Sequence, residues 1–294
     1  MTIFWQLIFS KLIELLISSK FLAKLFNHSA FLLIFHGSSN PNYLSSPLKL
    51  ATLIRAILSE QYLDIPEPNS VSPQQDQEIF TRYNHLRVPL VDIAVLECAD
   101  VPLSQRIIES AQQAIQQNYQ QLILVPVFLS AGVHVLEDIP EELSQAKHFL
   151  GSAIEVKLTD YVGNFPHMQN LIANKFKKFA SSGKIILAHG SRLSKGNVAV
   201  ENLAKAVGAN NAYWTIEPDL FKMINLLIEQ GKTSIVIVPY FLFIGRITDI
   251  ISSQVSEMQK EFPQNELLLD SPLGASRELA RLITSQIEQY LQPY

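Results

Sequence analysis

The sequence predicts an α/β protein of two homologous lobes, each a parallel sheet flanked by helices, with a cleft between them. Three observations carry this. Short apolar runs alternate along the chain with longer amphipathic ones. The short runs are rich in Ile, Val and Leu without polar alternation, which is how strands covered on both faces read. Three motifs also recur in the same order in the two halves.

Taken in order, the predicted strands are 31–35, 92–96, 121–127 and 154–158, then 184–188, 212–216, 234–240 and 266–269. Helices are predicted at 47–60, 102–117, 139–148, 166–180, 198–207, 218–230, 248–260 and 276–290. Strand, helix, strand in repetition implies parallel sheets with right-handed crossovers. The repeated motifs are LLIFHGSSN at 32–40 with IILAHGSRL at 185–193, and LVPVFLSAG at 124–132 with IVPYFLFIG at 237–245. VLECADVPL at 95–103 loosely parallels YWTIEPDLF at 213–221. His36 to Pro126 is 90 residues but His189 to Pro239 is 50, so the first half carries an insertion of about 40. Pro66, Pro68, Ser70, Ser72, Pro73 and a Gln run place much of it in a polar surface loop at 62–88. The expected division is an N-terminal extension at 1–28, a first lobe at 29–160 and a second at 161–294.

Composition narrows the function. The 294 residues are 48% hydrophobic and 17% charged, enough for substantial cores. A net charge of −4 offers no basic field for a phosphate backbone, so a nucleic-acid partner is not expected. The single cysteine, Cys98, is expected to be a small core residue. It forbids an intramolecular disulfide and multi-Cys metal sites, and a cytoplasmic location is expected. Any metal must be met by His, Asp, Glu or the substrate. Residues 2–26 are strongly apolar, but Lys11, Glu14, Lys20 and Lys24 interrupt them. The longest charge-free stretch, 2–10, is too short to cross a bilayer. The pattern suits an amphipathic helix, and a protein-packed or partly disordered extension is favoured over a helix lying on a membrane surface.

In parallel α/β sheets, ligands gather at the carboxyl ends of the strands. His36-Gly37-Ser38 follows the first strand, and the motif returns as His189-Gly190-Ser191. A glycine turn with a helix-capping serine would also explain it. His134 follows the third strand, ahead of Glu137 and Asp138; an exposed loop histidine before an acidic helix start is the plainer reading. Yet both histidines lie at strand ends of one lobe and can reach one point. Two neutral imidazoles suit Fe²⁺, Co²⁺ or Ni²⁺ and also take protons near neutral pH. Glu97 and Asp100, after the second strand, are either assisting acceptors or solvated turn residues.

The segment from Val125-Pro126-Val127-Phe128-Leu129 through Gly132-Val133-His134 to Glu137-Asp138-Ile139-Pro140 closely resembles the class II tetrapyrrole metal chelatases, in particular the sirohydrochlorin chelatases. His36-Gly37-Ser38 is similar to their first-strand motif. His189-Gly190-Ser191 with Val238-Pro239-Tyr240-Phe241 looks like the second half of their long, two-lobed form. The resemblance implies two flavodoxin-like lobes with an active-site cleft between them. It implies insertion of Co²⁺ or Fe²⁺, with Ni²⁺ in related enzymes, into sirohydrochlorin without nucleotide hydrolysis. The metal is then a substrate, and no cofactor is permanently bound. His36 and His134 map onto the family's catalytic, metal-holding pair. After Gly245 the second lobe reads Arg246-Ile247-Thr248-Asp249, with no histidine, which implies one site, in the first lobe. Sirohydrochlorin is a polycarboxylate, so Ser38, Ser39, Glu97, the amides near Gly132, Arg192 and Arg246 are expected among the substrate-binding groups. A monomer is expected. A non-catalytic metal or tetrapyrrole carrier of the same fold is the alternative. A serine hydrolase using Ser38 or Ser191 is disfavoured, because no G-x-S-x-G elbow is present.

Overall fold

Each sheet is centred on a strand that ends in a His-Gly pair. The computed structural model describes residues 28–40, 42–62, 89–179, 183–191 and 195–291. The N-terminal extension through residue 27 and residues 63–88 of the predicted loop lie outside the described residues. In the first half the chain forms β1 (Ser29–Phe35), α1 (Ser45–Tyr62), β2 (Val91–Val95), α2 (Leu103–Gln116), β3 (Gln121–Pro126), α3 (Ile139–Leu150), β4 (Glu155–Leu158) and α4 (Met168–Phe176). The second half forms β5 (Gly183–Ala188), α5 (Lys195–Ala206), β6 (Asn210–Tyr213), α6 (Leu220–Glu229), β7 (Ser234–Pro239), α7 (Arg246–Glu261), β8 (Glu266–Leu269) and α8 (Arg277–Leu291). No helix among the described residues is long and apolar enough to cross a membrane.

Both sheets are parallel and share one topology, β2-β1-β3-β4 and β6-β5-β7-β8. Phe31 pairs with Val91 and Phe35 with Val95, while Ile34 pairs with Pro126 on the other side. The unbroken apolar runs have a direct cause. Ala30, Leu32 and Ile34 face an outer core with residues of α2 and α3, including Ile107 and Leu143. Phe31, Leu33 and Phe35 face the opposite way, into a core that also contains Ile186, Ala188, Val236 and Val238 of the second sheet. The two lobes therefore share one apolar interior, with α1, α4 and α8 contributing to it. Helix α8 comes last in the chain but packs against α1 of the first half, and α4 packs against β7 of the second.

Two boundaries differ from expectation in ways that matter. The helix is predicted to start at 139, but helical backbone begins at His134, in a wide turn whose Ile139 N–H reaches back to the His134 carbonyl. Pro140 has no N–H for the preceding turn, so the proline sits inside a longer helical run rather than opening it. The strand predicted at 212–216 is Asn210–Tyr213 instead. It is an edge strand, so the polar Asn210 and Asn211 can start it, and the apolar run beyond Tyr213 belongs to the loop.

Candidate metal centre

Backbone pairing continues past the ends of β1 and β2. Leu96 N–H donates to the Phe35 carbonyl (2.9 Å) and Glu97 N–H to the His36 carbonyl (2.8 Å). These two rungs bring His36 and Glu97 side by side at the carboxyl edge of the sheet. Between them the chain turns at Gly37, with φ of +104°. A Cβ there would lie 1.9 Å from the Glu97 carbonyl oxygen, so only glycine lets the strand ends stay this close. Gly37 N–H donates to the Tyr43 hydroxyl at 3.2 Å. Burial raises the Tyr43 pKa, which keeps the phenol neutral, while the Gly37 hydrogen bond pulls the other way. Tyr43→Phe is expected to cost about 1 kcal/mol by removing that acceptor, measured as a lowered denaturant midpoint at unchanged m-value.

His134 arrives from the third strand. Phe128 follows β3, and its carbonyl accepts from Gly163 N–H at 2.8 Å, which steadies this crossing. The wide turn then presents His134 toward His36. The two imidazoles meet edge to face with centroids 4.7 Å apart, and the Phe128 ring backs both at 6.3 and 6.4 Å. Glu97 lies between them: Oε2 is 3.7 Å from His36 Nδ1 and Oε1 is 3.5 Å from His134 Nε2. One donor atom from each of the three residues falls within 4.8 Å of the others. The side chains are 51% (His36), 49% (Glu97) and 30% (His134) exposed, so the cluster opens to solvent on one side. Two nitrogens and one oxygen, gathered on one side only, suit a borderline divalent ion that must arrive and leave.

The second lobe repeats the backbone but keeps only the first of the three donors, His189. Thr215 N–H donates to the His189 carbonyl at 3.0 Å, so threonine stands where Glu97 stands in the first lobe. Ile247, two residues after Gly245, takes the place of His134, two residues after Gly132. His189 is left packing edge-on against Trp214, with centroids 5.6 Å apart. Among the described residues, His36, Glu97 and His134 form the one cluster of at least three groups able to hold a metal.

The other expected site residues fare differently. Ser38 and Ser39 are both exposed, and the Ser38 Oγ accepts from Asn40 N–H at 3.2 Å. Gly132 does not offer a free amide: its N–H points at the Ser130 carbonyl (3.1 Å), and its carbonyl anchors Val135 and Leu136 of the histidine-bearing turn. Arg246 is exposed at the start of α7, in an open cleft of about 750 Å³ that Asn40 of the first lobe also lines. Arg192 lies outside the described residues. Asp100 is exposed and outside the cluster. Cys98 is not a core residue: it is exposed, on the turn just past Glu97, with φ of 56°. One residue was missed. Asp138 Oδ2 lies 2.6 Å from His134 Nδ1, four residues along the same turn. That spacing is legible as a same-face pair only once the helix is known to begin at His134.

Comparison with known proteins agrees with this fold. A 31% identical relative over 121 residues is the chloroplastic sirohydrochlorin ferrochelatase of Arabidopsis thaliana; the match covers 38% of this chain and 53% of that protein. The sirohydrochlorin ferrochelatase of Priestia megaterium is 21% identical over 220 residues, or 70% of this chain and 80% of the relative. In three dimensions the chain resembles SirB from Bacillus subtilis, solved with Fe³⁺, at TM-score 0.66 and 17% identity, over 89% of this chain and 94% of that one. The family model for CbiX matches twice, at residues 71–179 and 183–290, which together span well over half of the chain. With one copy in each half, the chain belongs to the CbiX family.

Proposed function

We propose that this chain is a metal chelatase that inserts Co²⁺ or Fe²⁺ into sirohydrochlorin. The observation that carries the reading is the His36–Glu97–His134 cluster, open on one side and without a counterpart in the second lobe among the described residues. Relatives named sirohydrochlorin ferrochelatase and sirohydrochlorin cobaltochelatase support the substrate. Residues 29–160 then form the lobe that carries the chemistry and 161–294 the facing lobe, with Arg246 a cation available to a substrate carboxylate. The reading includes a cytoplasmic monomer: the lone Cys98 offers no disulfide, and one chain supplies all three donors.

Insertion exchanges one divalent ion for two pyrrole N–H protons. The imidazoles of His36 and His134 and the carboxylate of Glu97 hold the incoming ion from one side, leaving its other positions for ring nitrogens. As the ion passes to the macrocycle, these same groups regain their lone pairs and can accept the protons it displaces. Three weak donors serve this better than a closed four-ligand site, which would retain the metal. The metal is a substrate throughout.

The test is anaerobic incubation of purified protein with sirohydrochlorin and Co²⁺, Fe²⁺ or Ni²⁺ at equal free concentration, followed by absorbance. Insertion well above the spontaneous rate is expected with Co²⁺ or Fe²⁺. No acceleration with any of the three ions overturns the proposal, and tight binding without turnover would make the protein a carrier.

A further inference from the structure

His134 is held from behind. Its Nδ1 lies 2.6 Å from Asp138 Oδ2, within the range of a charge-assisted hydrogen bond, while its Nε2 faces Glu97 Oε1 at 3.5 Å. A carboxylate only accepts, so this contact puts the ring proton on Nδ1 and leaves the Nε2 lone pair toward the cluster. Asp138 lies inside the same helical run, with helical backbone angles, and its side chain makes no hydrogen bond to the turn that follows. It is turned to His134 instead. His36 has a longer, uncharged partner on that side: its Nδ1 lies 3.2 Å from the carbonyl of its neighbour Gly37 and 3.7 Å from Glu97 Oε2.

We infer that Asp138 is a positioning residue, fixing His134 in the one tautomer and ring orientation that present Nε2 to the metal. Outer carboxylates of this kind orient imidazole ligands and raise their basicity. The two histidines are therefore unequal, His134 oriented by a carboxylate at 2.6 Å and His36 by a backbone carbonyl at 3.2 Å. The widened turn makes this possible, because it carries both His134 and Asp138 ahead of Pro140. What His134 is positioned for rests on the metal-insertion reading above.

The experiment compares full-length wild type, Asp138→Ala, Asp138→Asn and, as a neighbour on the same turn, Glu137→Ala. Metal KM is measured at saturating sirohydrochlorin, and Co²⁺ is titrated into each protein without tetrapyrrole, following its visible spectrum. Asp138→Ala is expected to raise metal KM by about 10- to 100-fold and to alter the Co²⁺ spectrum, with little change in sirohydrochlorin KM. Asp138→Asn, whose amide oxygen can still accept from Nδ1–H, is expected to remain within about threefold of wild type, as is Glu137→Ala. Asp138→Ala with wild-type metal KM and spectrum overturns the inference, as does Asp138→Asn impaired as severely as Asp138→Ala. Should Asp138→Ala lose its circular dichroism, the Asn variant and the spectrum decide. If wild type inserts no metal, the chelatase reading fails, and the Co²⁺ titration alone still tests the Asp138–His134 pair.

Discussion

His134→Ala is expected to lower kcat/KM for the metal by about 100-fold or more. The change removes one of two nitrogen donors and leaves Asp138 without the ring nitrogen it meets at 2.6 Å. It also deprives Glu97 Oε1 of its neighbour, so the cluster falls to two groups. The side chain is 30% exposed, so the fold should survive its loss. His189→Ala provides the contrast. Its ring meets Trp214, and the second lobe offers threonine and isoleucine where Glu97 and His134 would be. That variant is expected to stay within about twofold of wild type. Stopped-flow absorbance on both proteins gives the comparison. A fully active His134→Ala, or equal losses in both, would remove the assignment of chemistry to the first lobe.

Gly37→Ala is expected to destabilise the protein by at least about 3 kcal/mol, combining backbone strain at positive φ with a steric clash. The obstructing atom is a backbone carbonyl oxygen 1.9 Å from the added carbon, and no side-chain rotation relieves it. The strand ends must part, which moves His36 away from Glu97 as well. Gly132→Ala is the matched control, since a Cβ there meets nothing within 4 Å. Its stability should change by less than about 1 kcal/mol. Denaturant unfolding of the two variants, with Co²⁺ titration of each, separates them. Equal stability of the two would refute the close approach at Gly37.

How much of this could be read from sequence depends on which interaction decides each feature. Strands such as 31–35 are legible because burial on both faces imposes an unbroken apolar run, and Phe31 and Leu32 indeed face opposite cores. The convergence of His36 and His134 is legible from strand-end topology. Glu97 is harder, because an acidic residue after a strand looks the same whether it is a solvated turn or a ligand. Only the adjacency of β1 and β2, continued by the Glu97–His36 backbone bond, distinguishes them. Asp138 was hidden because the helix is predicted only from 139, whereas the turn that pairs it with His134 begins five residues earlier. The return of α8 to α1 leaves no local signal at all, since an amphipathic helix does not say which groove it fills.

That return gives a reason for the second copy to persist although it lacks counterparts of Glu97 and His134. Leu50, Ile54 and Leu58 on α1 belong to the same buried cluster as Leu279, Ile283 and Ile287 on α8. A chain cut after the first sheet would leave that surface of α1 facing water. On the proposed reading, duplication has produced a division of labour, in which one half carries the metal cluster and the other completes its core. Selection can then erase imidazole and carboxylate from the silent half while holding its hydrophobic face constant. Because the halves are joined through a continuous interior, swinging the two sheets apart would expose that shared core to water.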